Sequence, residues 1–355
     1  MMRRLRFGVI LLALVSSLSP VWAQEQQALI LLRREISESW AAAYGNLYAY
    51  TPGDDAPTPL TTDQYIAAPA LSPDGGMIAY AAVAESTLQE ASDGDYSFSP
   101  DHANPMDIWL MNTRSHAAIP ITHEAAYRSN PVWSPDGNQL AWFTWDGAPN
   151  GGSIVVYDRS TGEETTLASG LMMNPNDIGA FTLANVVGWG ETIAHIVKQG
   201  DDSQRLLMLE TAGENGMVRQ QVIANTDYLP RIVWAKADGK WWVAFQDMDD
   251  QWRMVGSDGV VELTTPPLLQ LRGGDGARLK PVSSGWEILP EDGEAVAIPY
   301  EGVAVIAPDG EAVAHLREQT AYLWQGGQEL VPLLPDEAAE WQILSLLWSP
   351  MEWVI

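Results

Sequence analysis

The segment "PVWSPDGNQLAWF" at 131–143 restates, with few changes, "PALSPDGGMIAYA" at 69–81. A chain that repeats itself at a fixed interval builds one structural unit several times, and the unit must stack on its own copies to bury its apolar faces. Each copy centres on Ser-Pro-Asp-Gly. Ser first, Pro second and Gly fourth is the preferred composition of a type I turn. Pro fixes its own φ, Asp accepts backbone N–H groups ahead of it, and Gly tolerates the positive φ that follows. Short apolar and aromatic runs flank the turn, so each copy reads as a hairpin of two strands, A and B.

Two further strand-like runs follow each hairpin. After "QLAWFT" come "SIVVYD" and "ETTLAS", and after "MIAYAAV" come "DIWLMN" and "AAIPIT". A four-stranded unit recurring every ~40–50 residues is the signature of a β-propeller blade. Fainter copies begin at "NVVGWGETIAHIVK", "RIVWAKADGKWWVAFQD", "LLQLRGGDGARLKPV" and "VAVIAPDGEAVAHL". The final stretch "ILSLLWSPMEWVI" reads as an A–B hairpin, and "GNLYAYTPGDDAPTPLT" (45–61) as a C–D hairpin. Together they complete one more blade, and a ring closed by both ends of the chain removes the open edges that invite aggregation. The expectation is an all-β, seven-bladed propeller of four-stranded antiparallel blades spanning 45–355, with six blades as the alternative because the third and fifth copies are weak. Residues 24–44 read as an N-terminal extension packed on the ring. Leu29, Leu32, Ile36 and Trp40 recur at helical spacing, and an extended arm is the other reading.

"LSPDGGMIAY…DIWLMN" and "WSPDGNQLAWF…IVVYD" resemble the propeller repeats of the TolB type, related in shape to WD-repeat propellers. That resemblance implies an exported or periplasmic binding scaffold, or the non-catalytic half of a peptidase. A propeller peptidase needs a GxSxG nucleophile elbow in a hydrolase domain, and no such segment occurs in the sequence.

Arg3, Arg4 and Arg6 precede the apolar run "FGVILLALVSSLS", and Val21 and Ala23 stand before Gln24. This is the pattern of a cleavable signal peptide over 1–23, and the apolar run is short for a membrane span. The protein is expected to be exported, to the periplasm, cell surface or exterior, with no stable membrane insertion after cleavage. There is no cysteine, so no disulfide staples the fold and a large core must hold it. The net charge is −27, from 19 basic and 46 acidic residues; without the three leader arginines 16 basic residues remain, giving −30. Nucleic acid and anionic lipid need a basic patch, so neither is an expected partner. A monomer is expected.

No catalytic or metal-binding constellation stands out. His102, His116, His123, His195 and His315 form no close ligand pair; His195 and His315 fall in B strands as packed residues, and His116 and His123 in solvated turns. The acidic stretches at 93–107 and 246–251 do not match a calcium loop, so no cofactor is expected, with calcium the ion those oxygens would suit. Trp133, Trp189, Trp234 and Trp348 share one A-strand position, a periodicity that signals blade-to-blade packing; Trp109, Trp142 and Trp242 also lie within strands. A second periodicity is more open. Tyr65, Tyr127, Tyr228 and Tyr300 each stand eight residues before Pro73, Pro135, Lys236 and Pro308, the turn proline or its equivalent. There strand D of one blade passes to strand A of the next, near the channel mouth. Tyr is either the repeat's packing residue at that point or part of an aromatic collar suited to peptide or sugar recognition. The same face would carry the long loop from Val83 to Met106 with His102, and Trp145, Asp146, Asn174 and Asp177. The functional expectation is an exported, non-catalytic scaffold binding a protein, peptide or glycan through this loop-rich channel face. The alternative is a propeller enzyme, a polysaccharide lyase or glycoside hydrolase, with carboxylates at the channel mouth.

Overall fold

The computed structural model describes residues 28–35, 44–93, 104–124, 126–129, 131–148, 151–171, 186–189, 192–198, 205–213, 216–225, 231–246, 249, 251–256, 259–272, 276–282, 285–298, 302–325, 330–334, 340–348 and 351–355. In chain order the elements are β1 (Leu29–Glu35), β2 (Asn46–Tyr50), β3 (Thr58–Pro59), β4 (Ile66–Leu71), β5 (Met77–Val83), α1 (Glu85–Asp93), β6 (Met106–Asn112), β7 (Ala118–Pro120), β8 (Tyr127–Arg128), β9 (Val132–Trp133) and β10 (Gln139–Trp145). Then come β11 (Gly152–Asp158), β12 (Glu163–Leu171), β13 (Val186–Trp189), β14 (Thr192–Lys198), β15 (Arg205–Gly213), β16 (Gly216–Asn225), β17 (Arg231–Ala237), β18 (Lys240–Gln246), β19 (Trp252–Gly256) and β20 (Gly259–Glu262). The last are β21 (Leu268–Leu271), β22 (Arg278–Val282), β23 (Gly285–Leu289), β24 (Val296–Ile298), β25 (Val303–Ile306), β26 (Ala312–Arg317), β27 (Thr320–Gln325), β28 (Val331–Pro332), β29 (Trp341–Leu347) and β30 (Met351–Val354).

These strands make an all-β propeller of six sheets. Each four-stranded run is antiparallel, and the first strands of neighbouring runs lie against one another: β29 against β4, β4 against β9, β9 against β13, β13 against β17, and β25 back against β29. The sheets number six, the alternative count, rather than seven separate blades. The repeat does supply seven four-stranded runs, but β17–β20 and β21–β24 are joined through β30 into one sheet of nine strands. The reason lies in the last strand. The sequence predicts β29 and β30 as one hairpin; instead β29 pairs with β1, and β30 pairs parallel with β17 and antiparallel with β21.

A second correction concerns the N-terminal extension. Residues 29–35 are β1, held between β29 and β2 in the closing sheet. Leu29 and Leu31 join the cluster shared with β25–β27 and β29. Ile30 and Leu32, on the opposite face, join the cluster shared with β4–β6. A strand buried on both faces reads as a continuous apolar run rather than an alternation, which is why "LILL" also suits a helix. Each of these side chains contributes roughly 1.5–3 kcal/mol by leaving water. Gly45 is required at the same seam, because a Cβ there would lie 2.4 Å from the Arg33 carbonyl oxygen. The 45–61 hairpin forms as expected, β2 pairing with β3.

The turns behave as their composition predicts. In the first, the Ser72 N–H donates to Met77 O at 2.8 Å, Gly75 N–H donates to Ser72 O at 2.8 Å, and Gly75 has φ 70. The Ser72 hydroxyl donates to Asp74 at 2.6 Å and accepts the Met77 N–H at 2.9 Å. Ser134, Asp136, Gly137 and Gln139 repeat the arrangement, with the Ser134 hydroxyl 2.6 Å from Asp136. The Asp136 carboxyl is held below its ordinary value first by the Ser134 hydroxyl and then by Asn138. Trp133 is 7% exposed, and its indole N–H donates to Ala70 O at 3.0 Å, tying the third sheet to the second. Blade-to-blade packing is therefore its role.

Candidate functional site

Between β5 and β6 the chain does not run as a plain loop. It opens with α1, whose first-turn Glu85 suits the positive end of the helix dipole. Leu88 N–H bonds Ala84 O at 3.1 Å, and Thr87 is buried, anchoring the helix over the sheet. Beneath it lies a cleft of about 470 Å³ lined by Glu85, Ser86, Gln89, Asp107, Trp109, Pro120, Thr122 and His123. The pleat puts Asp107 and Trp109 on one face of β6, and Pro120 stands opposite Trp109 on β7. The indole is half-buried and stacks on the buried Tyr80 ring, centroids 6.4 Å apart and planes 3° apart. Tyr80 in turn donates its hydroxyl to Gln64 at 2.9 Å, and burial pushes its phenol up. The aromatic floor is thus fixed from the side, by its cross-strand partner on β5.

One wall is ionic. The Asp107 and Arg128 side chains are 15% and 9% exposed and approach to 3.4 Å. Arg128 also donates to Met106 O at 2.5 Å. Thr122 donates to Asp107 at 3.2 Å while accepting the Ile108 N–H at 2.9 Å. Burial raises the Asp107 carboxyl, against the lowering pull of Thr122, Arg128 and His123. Burial depresses Arg128, opposed by Asp107, Glu164 and Glu124. Glu164 is raised by burial, relieved by Arg128 and aggravated by Glu124. A buried pair of this kind is locally neutral and fixes geometry more than it adds stability. The open rim is supplied by Glu85, Gln89 and the exposed His123. The result is a flat apolar surface bordered by hydrogen-bond acceptors and donors, the make-up of sites for amide- or hydroxyl-rich ligands.

Of the residues expected at the channel face, Tyr65, Tyr127, Trp145 and Asp146 are among those described. Tyr65, at φ 44, packs against the apolar cluster shared by β4–β6 and β9–β11. Tyr127 opens the split first strand of the third sheet and packs on Trp145, ring centroids 5.1 Å apart. Trp145 donates to Ala148 O at 2.5 Å, and Asp146 accepts the Ala148 N–H at 2.9 Å, so both shape their own turn. Tyr228, Tyr300, His102, Asn174 and Asp177 lie outside the described residues. His315 is fully buried in β26, as its B-strand position predicts. Among the described residues no group of three acidic or histidine side chains is placed to hold a metal ion. No helix among them is long and apolar enough to cross a membrane.

Glu85, Gln89, Asp107, Trp109 and His123 were not legible as one site. Trp109 reads as one more strand tryptophan. The available signal was its parity with Asp107 in "MDIWLMN", directly after the longest loop.

No family model matches the sequence, and no curated protein matches it. Among solved structures the chain is similar to TolB from Acinetobacter baumannii, at 14% identity over 92% of this chain and 66% of that one, with a TM-score of 0.44. It is similar to Porphyromonas gingivalis dipeptidyl peptidase 4 at 10% identity, over 83% of this chain and 49% of that one, with a TM-score of 0.40. It is also similar to an oligogalacturonate lyase in complex with manganese, at 11% identity over 82% and 83%, with a TM-score of 0.47. The chain spans under two thirds of the TolB length and about half of the peptidase's. TolB and other propellers are thus its structural neighbours, and identities this low speak to the fold.

Proposed function

We propose that the chain is an exported binding scaffold that takes a protein, peptide or glycan segment into the cleft beneath α1. The observation that carries this reading is the indole of Trp109, braced by Tyr80 and left half open beside a fixed Asp107–Arg128 pair. Ring faces bordered by preset polar groups bind without a large ordering cost. Tyr65 and Tyr127 are half-buried and stand outside this cleft, one against the β4–β6 cluster and the other against Trp145.

The test is capture on arrays of immobilised peptides and polysaccharides, comparing the native chain with Trp109→Ala and with Glu85→Ala, a rim change on an exposed helix position. Retention of the bound class should fall at least tenfold in Trp109→Ala and measurably in Glu85→Ala, whose stability falls by no more than about 1 kcal/mol through the lost dipole interaction. Equal capture by all three proteins sinks the proposal. A second reading, a polysaccharide-cleaving enzyme, is favoured by the raised Asp107 carboxyl at the cleft wall. Release of new reducing or unsaturated ends from the captured glycan, abolished in Asp107→Asn, would replace the scaffold reading with it.

A further inference from the structure

The cleft beneath α1 is one-sided in charge. Glu85, Asp107 and His123 line it, and no lysine or arginine is among its lining residues. Its polar groups differ in what they already hold. Asp107 accepts from Thr122 at 3.2 Å and pairs with Arg128 at 3.4 Å, so its charge is answered within the wall. The Thr122 hydroxyl is occupied as well, because it also accepts the Ile108 N–H at 2.9 Å. Glu85 is exposed on the first turn of α1, a helix that also carries Glu90 and Asp93 and has no basic residue. Gln89 lies one turn further, on the same side of the helix. Its amide nitrogen donates to Ser92 at 3.2 Å and to Asp93 at 3.1 Å, which leaves the carbonyl oxygen as the group it can offer. The helix side of the rim is therefore a carboxylate and an amide oxygen, and the floor is Trp109 with Pro120 opposite it.

An aromatic ring attracts a cation through its quadrupole, indole most strongly. Lysine and arginine can lay their carbon stems on apolar surface while the charged head reaches polar groups. A neutral hydroxyl can bond Glu85 but gains nothing from the ring's quadrupole. An anionic group would meet the carboxylate and a chain of net charge −27. The same field draws cationic segments toward the surface and raises their encounter rate.

Resting on the reading of this cleft as the binding site, we propose that it selects a basic segment of a partner protein. The stem of a Lys or Arg lies on Trp109 and Pro120, and its charged head sits at the Glu85 carboxylate and the Gln89 carbonyl.

The probes are end-capped nonapeptides of Gly and Ser with three lysines, the same peptides with Nε-acetyl-lysine, and the same with Glu, each carrying a neutral dye. Binding to the full chain is read by anisotropy. The lysine peptide should bind the native chain about tenfold more tightly than the acetylated one, and the Glu peptide should not bind. Trp109→Ala should weaken the lysine peptide about tenfold, and Glu85→Gln about threefold. Glu291→Gln removes the same charge from an exposed turn between β23 and β24 and should change nothing. Equal affinity for the lysine and acetyl-lysine peptides overturns the proposal. So does an equal loss in Glu85→Gln and Glu291→Gln, which would mean that only the general field attracts the peptide. Tighter binding of chitosan oligomers than of the lysine peptide would overturn the assignment to a protein segment. Glu85 and Glu291 are both exposed, so their comparison decides the matter even if Trp109→Ala does not fold. Capture that needs Trp109 but ignores ligand charge leaves the cleft as the binding site and removes the cation. Capture indifferent to Trp109 removes the cleft itself.

Discussion

Replacing Thr122 by Val keeps the β-branched shape and deletes one hydroxyl. That hydroxyl accepts the N–H of Ile108 at 2.9 Å, and Thr122 and Ile108 are 4% and 0% exposed. Ile108 is fully buried, so the cost is that of a buried donor left unpaired, about 1–3 kcal/mol. The bond to Asp107 is long, at 3.2 Å, and Arg128 keeps the carboxylate paired, so the expected total is about 2 kcal/mol. The repeat supplies an internal control. Thr61 stands at the same place in the closing sheet, where it accepts the Leu47 N–H at 2.9 Å and donates to Asn46 at 3.1 Å. Thr61→Val should therefore cost the same amount. The two sites share no partner, so the double variant should be additive to within ~0.5 kcal/mol. In urea, with a slope near 3 kcal/mol per molar, each single change moves the midpoint by about 0.7 M. Circular dichroism and tryptophan fluorescence should give coincident transitions, which licenses the comparison. Midpoint shifts below about 0.2 M for both variants would refute the claim that these threonines lock strand to strand.

The remaining predictions concern the turns and the seams. Asp136 has a depressed pKa, so its contribution is fully present above the ordinary value of 3.8 and lost as pH falls through the lower folded value. Asp136→Asn should lower the melting temperature at pH 7 and narrow its gap to the native chain as pH approaches 3, read by thermal scans across that range; a gap independent of pH would contradict it. Trp133→Phe removes the 3.0 Å bond to Ala70 between the second and third sheets and leaves a smaller aromatic ring beneath Arg159, which lies 5.3 Å from the indole. It should cost about 1–2 kcal/mol in the same urea assay, and a neutral result would mean that the indole N–H does not tie the sheets.

The repeat was legible because its turns are chemically demanding. Ser72, Asp74 and Gly75, and their counterparts Ser134, Asp136 and Gly137, make the predicted bonds at the predicted φ. Strand alternation then marked the blades that bury one face more than the other. Where both faces are buried the signal fails, as in β1, whose leucines serve two neighbouring clusters. The cleft was illegible for another reason. Asp107 lies in β6, Thr122 in the loop after β7 and Arg128 in β8 of the next sheet, and no local pattern records that they meet.

The sequence by itself determined the unit: a Ser-Pro-Asp-Gly hairpin followed by two strands, copied around an acidic, cysteine-free ring. Those features are local, set by dihedral preference and by bonds spanning a few residues. Only the tertiary structure decided the partners. It put β1 beside β29, carried β30 away from its own hairpin to join two four-stranded runs, and laid α1 over Trp109. Backbone edges are alike in every strand, so which edge a strand finds depends on the space left by all the others, and that is a property of the whole ring.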